Sequence, residues 1–227
     1  MASQPKHRQF KPRRWPLFAF MAMVAAIVVT LVAVTRPPTN DLQAKSDRPE
    51  TSSTTAPVVP QAIGPSRATQ VFIPADDPDL VINNGVSDLA SCMPEIEPPL
   101  DGSRIGAIYE CMDFALPSSS SPSLSILAGH SSCRVDTVFN RLNQQKQSLI
   151  NREVSIKTEA SGDKWLVYRI EATYEPTKAE LPYVDKIWGS AEVPTAGRLV
   201  LVTCLLNADC SRSTHNFIAV AQFVGTR

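Results

Sequence analysis

Hydrophobic and polar positions fall into three regimes along the chain. A head carrying Lys6, Arg8, Lys11, Arg13 and Arg14 is followed by an uncharged, mostly apolar run from Trp15 to Thr35. That run matches the roughly 20 apolar residues a helix needs to cross a bilayer core of about 30 Å. The pattern predicts a basic cytoplasmic tail over 1–14 and a transmembrane anchor over 15–35. The positive-inside rule then puts everything after Arg36 outside the membrane. A cleaved signal peptide is the alternative, but its apolar region usually runs to roughly 7–15 residues and ends at a small-x-small site. Such a site is poorly formed here. From 36 to 68 the apolar period disappears and Pro, Ser and Thr dominate, which predicts a disordered, semi-extended linker with too little apolar surface for a core.

From 69 to 227 the period changes to that of strands. Gln70–Pro74, Arg104–Tyr109, Ser123–Leu127, Val154–Thr158 and Lys164–Glu171 are short apolar, β-branched or alternating runs. The last two flank Ala160-Ser-Gly-Asp163, a hairpin signal. Arg198–Thr203 and Asn216–Val224 are the strongest strand runs, and one helix is predicted from Asp136 to about Leu149, with Val138, Phe139, Leu142 and Leu149 on its apolar side. Many short strands separated by turn signals predict an all-β barrel with one or two short helices. The loop Pro117–Pro122 (PSSSSP) ahead of the Ser123 strand receives no role from the sequence.

Charge narrows the function. Lys plus Arg and Asp plus Glu each total 22, a neutral balance that argues against nucleic acid as a partner. Cysteines number five, an odd count that leaves one thiol over in an extracellular, disulfide-permissive setting. Cys204 closes the run RLVLVTC. His130 closes another, LSILAGH, directly after a glycine that lets backbones approach. Arg212 follows Cys204 by eight residues across a short turn. Acyl transfer wants this trio: a thiolate to attack a carbonyl, an imidazole to protonate the departing amine, and a cation to hold the developing oxyanion. On spacing alone each has a plainer reading. A strand cysteine is commonly a small core residue or half a disulfide, a lone histidine a satisfied structural residue, and a turn arginine a solvated one. His215 and Arg198 are rival candidates for the imidazole and the cation. A zinc site from Cys204, Cys210, His130 and His215 lacks a close Cys-x-x-Cys pair.

Five segments, in order, resemble the sortase family. They are Val71-Phe-Ile-Pro74, Leu127-Ala-Gly-His130, Phe139-Asn-Arg-Leu142, Tyr168–Pro182 and Val202-Thr-Cys204, covering roughly Thr69 to Val224. The resemblance implies a sortase-like closed β-barrel over 69–227 and a cysteine transpeptidase, class E/F-like, without metal or organic cofactor. By the same resemblance Cys204 is the nucleophile, His130 the acid/base partner and Arg212 the oxyanion-stabilising residue. Thr203, Ala128 and Gly129 are expected to meet the substrate. In many sortases that arginine stands farther from the cysteine, near the last strand, which here opens with Thr214-His215-Asn216. The implied partners are an LPxTG-like sorting signal and an amine acceptor from a peptidoglycan precursor or surface protein. The implied setting is the Gram-positive cell membrane, single-pass, with the catalytic domain outside.

If Cys204 stays free as that role requires, four cysteines remain, with three possible pairings. Neighbouring positions for His130 and Cys204 favour Cys133–Cys210, which leaves Cys92–Cys111. A catalytically inactive sortase-like binding or assembly module is the competing class of function. Another cell-wall cysteine enzyme, such as an L,D-transpeptidase or amidase, fits the order of the motifs poorly.

Overall fold

The computed structural model describes residues 62–93 and 95–227. The basic tail, the anchor and nearly all of the linker lie outside the described residues. No helix among the described residues is long and apolar enough to cross a membrane. Eight strands form the fold: β1 (Ala68–Ile73), β2 (Ile82–Leu89), β3 (Ile108–Cys111), β4 (Ser125–Gly129), β5 (Glu153–Thr158), β6 (Leu166–Tyr174), β7 (Arg198–Cys204) and β8 (Asn216–Thr226). They close into a barrel in the order β1-β2-β3-β4-β7-β8-β6-β5. β2 pairs with β3 and β4 with β7 in parallel, and every other pairing is antiparallel. Closure removes the exposed strand edges that an open sheet would have to protect.

β4 and β7 are apolar almost without interruption because both of their faces are covered. Leu127, Leu199 and Leu201 point into the barrel with Phe217, Ala219 and Ala221 of β8, against Val71, Ile73, Val154 and Ile156. The alternate residues Ile126, Ala128, Val200, Val202, Ile218 and Val220 form a second apolar layer on the outer wall. That layer is roofed by Ile187 and Trp188 of the short helix α2 (Asp185–Trp188), with Leu181, Ile96 and Phe114 around them. Truncating a fully buried leucine such as Leu201 to alanine costs about 2–5 kcal/mol in a layer of this kind.

Three expectations change on contact with the structure. The helix predicted over Asp136–Leu149 shrinks to α1 (Asn140–Gln144), followed by a 3-10 turn at Lys146–Ser148. Asn140 spends its side chain on loop carbonyls instead of solvent, and Asp136 makes no cap. Within Arg104–Tyr109 only the last two residues are strand, because 102–106 coil into a 3-10 helix ahead of β3. β2 was not predicted at all. Its sequence, INNGVSDL, is polar because most of its side chains stay at least partly exposed.

Packing reaches back to Ile63, which is buried inside the stretch read as linker. The serine-rich loop explains this. Ser119 Oγ accepts the Ile63 N–H at 2.9 Å, and the Ser119 N–H donates to the Ile63 carbonyl at 3.1 Å. The loop sits at the start of β4, opposite the His130 end, where it ties the chain's entry to the barrel.

Candidate active site

Strand alternation places the chemistry. On β4 the outer-wall series Ile126, Ala128 continues to His130. On β7 the series Val200, Val202 continues to Cys204, and on β8 Val220, Ile218 continues to Asn216. Side chains of one face recur every second residue, so all three polar residues extend the same outer face. Register sets their level. Ala128 is the partner of Val202, the last pair of the parallel β4–β7 ladder, and His130 and Cys204 each lie two residues beyond it. Cys204 is in turn the direct antiparallel partner of Asn216. An apolar wall thus ends in one polar rim.

Two asparagines of α1 hold the loops that leave this rim. Asn140 Nδ2 donates to the Ser132 carbonyl at 2.9 Å and to the Val135 carbonyl at 3.3 Å, while its Oδ1 accepts the Ser132 N–H at 2.8 Å. Asn143 Nδ2 donates to Ser131 Oγ at 2.9 Å and to the Cys204 carbonyl at 3.1 Å, and its Oδ1 accepts the Leu206 N–H at 3.0 Å. One side chain therefore joins the turn after His130 to the turn after Cys204. Sequence reasoning missed both roles, although two asparagines at i, i+3 in a helix are a signal, since asparagine favours local backbone bonding over helix.

His130 is half-buried and its Nε2 lies 2.8 Å from the Pro98 carbonyl oxygen. A carbonyl only accepts, so Nε2 carries a proton in this arrangement. The His130 carbonyl accepts from Thr137 Oγ1 at 2.7 Å, which fixes the backbone as well as the ring. Gly129 cannot carry a side chain without cost: a Cβ there would meet the Phe139 ring at 2.9 Å.

The thiol of Cys204 is half-buried and unpaired, and the other four cysteines form Cys92–Cys111 and Cys133–Cys210. The second bond has a Cα–Cα distance of 5.7 Å and bridges the loops after β4 and β7. Cys204 opens into a cleft lined also by Ser131, Arg134, Lys178, Asn207 and Arg212. Arg212 is exposed on the β7–β8 loop and lines the same cleft as Cys204.

The remaining expected site residues have structural surroundings. Thr203 is 2 % exposed and its Oγ1 lies 2.7 Å from Ser131 Oγ, while Ala128 and Gly129 are buried beneath the rim. Arg198 stands at the opposite end of β7. Its buried guanidinium donates to the carbonyls of Lys186, Ile187 and Pro194 at 3.3, 2.9 and 3.0 Å. His215 bonds through Nδ1 to Thr214 Oγ1 at 3.0 Å.

With the fold and rim in place, comparison with known proteins gives the class. Residues 112–224, which include His130, Cys204 and Arg212, match the sequence model of the sortase domain family. This part of the chain is a sortase-family domain. Among solved structures it is similar to sortase A of Listeria monocytogenes, at 13% identity and a TM-score of 0.47 over 72% of this chain and 90% of that one. It is also similar to sortase C-1 of Actinomyces oris, at 18% identity and a TM-score of 0.48 over 72% and 74% of the two chains. Sortase C1 of Streptococcus suis gives 14% identity and a TM-score of 0.49 over 70% and 74%. No curated protein matches the chain.

Proposed function

We propose that the chain is a membrane-anchored cysteine transpeptidase that cleaves an LPxTG-like sorting signal and joins it to an amine. The amine belongs to a peptidoglycan precursor or to another surface protein. The observation that supports this reading most is the parallel register of Ala128 on Val202, from which His130 and the unpaired Cys204 each stand two residues further along. In this mechanism the Cys204 thiolate attacks the carbonyl of the scissile bond and forms a thioacyl enzyme. His130 protonates the departing amine. Arg212, which lines the same cleft, supplies positive charge for the oxyanion. The acceptor amine then attacks the thioester and frees Cys204.

The apolar run Trp15–Thr35 after a basic head supports a single-pass anchor, with the linker from 36 carrying the domain outside, and the family resemblance suggests a Gram-positive membrane. Two disulfides fit an oxidising compartment. A short barrel behind an N-terminal anchor supports an E- or F-like type within the family.

The test is mass-spectrometric. Detergent-solubilised full-length protein is offered a panel of LPxTG-like peptides and a free amine, with Cys204→Ala as control. Cleaved and amine-joined products that vanish in Cys204→Ala establish the reaction. Folded protein giving neither product nor thioacyl adduct with any peptide moves the reading to a non-catalytic binding module.

A further inference from the structure

The polar rim holds one group that this mechanism leaves unused. Asn216 opens β8 directly opposite Cys204. The pair is of the non-hydrogen-bonded kind. The Leu205 N–H bonds the His215 carbonyl one step along, while the Asn216 N–H turns away to the Pro176 carbonyl at 3.0 Å. In such a pair the two Cα atoms stand about 4.5 Å apart and the side chains lie close on one face. The Asn216 amide nitrogen is oriented by its partner. Nδ2 donates to the Thr203 carbonyl at 3.3 Å, and a carbonyl can be bonded only by the NH2 end of the amide. One N–H of Nδ2 is thus engaged beside Cys204, and the second remains to be given to a ligand. Asn216 is half-buried on a strand, whereas Arg212 is exposed on a loop.

We propose that Asn216 is a catalytic residue, a second hydrogen-bond donor to the oxyanion formed when Cys204 attacks. The proposal rests on the transpeptidase reading above. In the step concerned, the Cys204 sulfur forms a C–S bond to the carbonyl carbon and the C=O π pair moves onto oxygen. Asn216 Nδ2–H donates to that oxygen, and no proton is transferred to it. The pair then returns, the C–N bond breaks, and the amine leaves with a proton from His130. A neutral donor held by a strand costs nothing to reorganise, which is the condition under which an oxyanion donor is most effective.

Two reactions of the same thiol separate this role from its alternatives. Acylation of Cys204 by p-nitrophenyl acetate passes through a tetrahedral oxyanion, whereas alkylation by iodoacetamide displaces iodide and forms none. Full-length protein is followed by intact-mass measurement for both adducts, with Cys204→Ala as background. We expect Asn216→Ala to slow acylation by about 100-fold, the lower end of what loss of one oxyanion donor costs. Alkylation should stay within about twofold, because the thiol itself is unchanged. Asn216→Thr, which suits a strand and keeps a shorter donor, should fall between wild type and Asn216→Ala in acylation. Unchanged acylation in Asn216→Ala overturns the proposal, as does a parallel fall in both reactions. Wild-type protein that is alkylated at Cys204 but never acylated there overturns the transpeptidase reading itself, and the Asn216 role with it.

Discussion

Cys133 is bonded to Cys210, and the bond fastens the loop that leaves His130 to the loop that carries Arg212. Both of its cysteines are exposed, whereas Cys92 and Cys111 are buried at 0% and 1%. A reductant therefore reaches the rim bond first. Limited reduction should open Cys133–Cys210 while Cys92–Cys111 persists, as counted by alkylation and intact mass. Turnover should fall severalfold with the far-ultraviolet circular dichroism unchanged. Cys133→Ser/Cys210→Ser should reproduce the fall and lower stability by about 2–4 kcal/mol, typical of removing one disulfide.

Asn143 bonds both turns at once, so its removal should affect catalysis more than folding. Asn143→Ala deletes three hydrogen bonds at a half-buried site, at a cost of about 1–3 kcal/mol. We expect turnover of peptide to fall by about tenfold, because a small displacement of positioned groups is expensive in rate. Stopped-time product assays beside a urea titration measure the two effects separately. A loss of rate no larger than the loss of folded protein would remove Asn143 from the positioning machinery.

Glu110 makes stability fall as pH rises. It is 1% exposed on β3, its Oε2 accepts the Ala68 N–H at 2.8 Å, and its Oε1 has no partner among the described residues. Burial, assisted by the nearby Asp88 charge, pushes its carboxyl up to about 7, against the pull of the Ala68 bond and Arg67. Below the ordinary carboxylate range both folded and unfolded chains hold the proton and nothing is lost. Between that range and about 7 the unfolded chain ionises first, so this group's contribution declines, and above about 7 the loss is complete. Glu110→Gln should remove a penalty on the order of 2 kcal/mol at pH 8 and leave stability at pH 4 nearly unchanged. Thermal melts of both proteins at the two pH values give the difference directly.

Arg198 should behave as a structural residue in spite of its charge. Arg198→Ala strands three carbonyls beneath α2 and opens space in the outer wall, costing about 2–4 kcal/mol. Iodoacetamide labelling of Cys204 in the folded fraction should keep its wild-type rate. A selective loss of turnover without loss of stability would contradict this assignment.

The barrel was legible wherever strands are buried on both faces, because runs such as RLVLVTC need no partner to be recognised. β2 was illegible for the opposite reason: a wall strand with exposed faces carries Asn83, Asn84 and Ser87, which read as loop. The helix was overextended because Val138 and Phe139 keep a helical spacing while lying in the turn ahead of α1. Cys204 and His130 stood out as strand ends with chemistry attached. Setting Cys204 aside still left three pairings, and only the assumed neighbourhood of His130 and Cys204 favoured the two disulfides the structure forms. Asn143 and Asn216 left no such trace, since their meaning lies in which strand or loop they face, and that is decided by tertiary register. Arg198 and Arg212 look equivalent as residues, and only burial tells the hidden brace from the free cation.

The parallel pairing of β4 with β7 carries a consequence for how such a site fails. The ladder of backbone bonds sets the level of the two strand ends that lead to imidazole and thiol, and Asn143 and the Cys133–Cys210 bond hold the turns that continue beyond it. A one-residue slip would send the two groups to opposite sides of the wall, and a two-residue slip would part them by about 7 Å. The barrel thus works as a vernier, in which catalytic alignment is a whole-number property of strand pairing. An error of register in that ladder should leave a molecule silent, unlike the graded losses expected when only the turns beyond it are loosened.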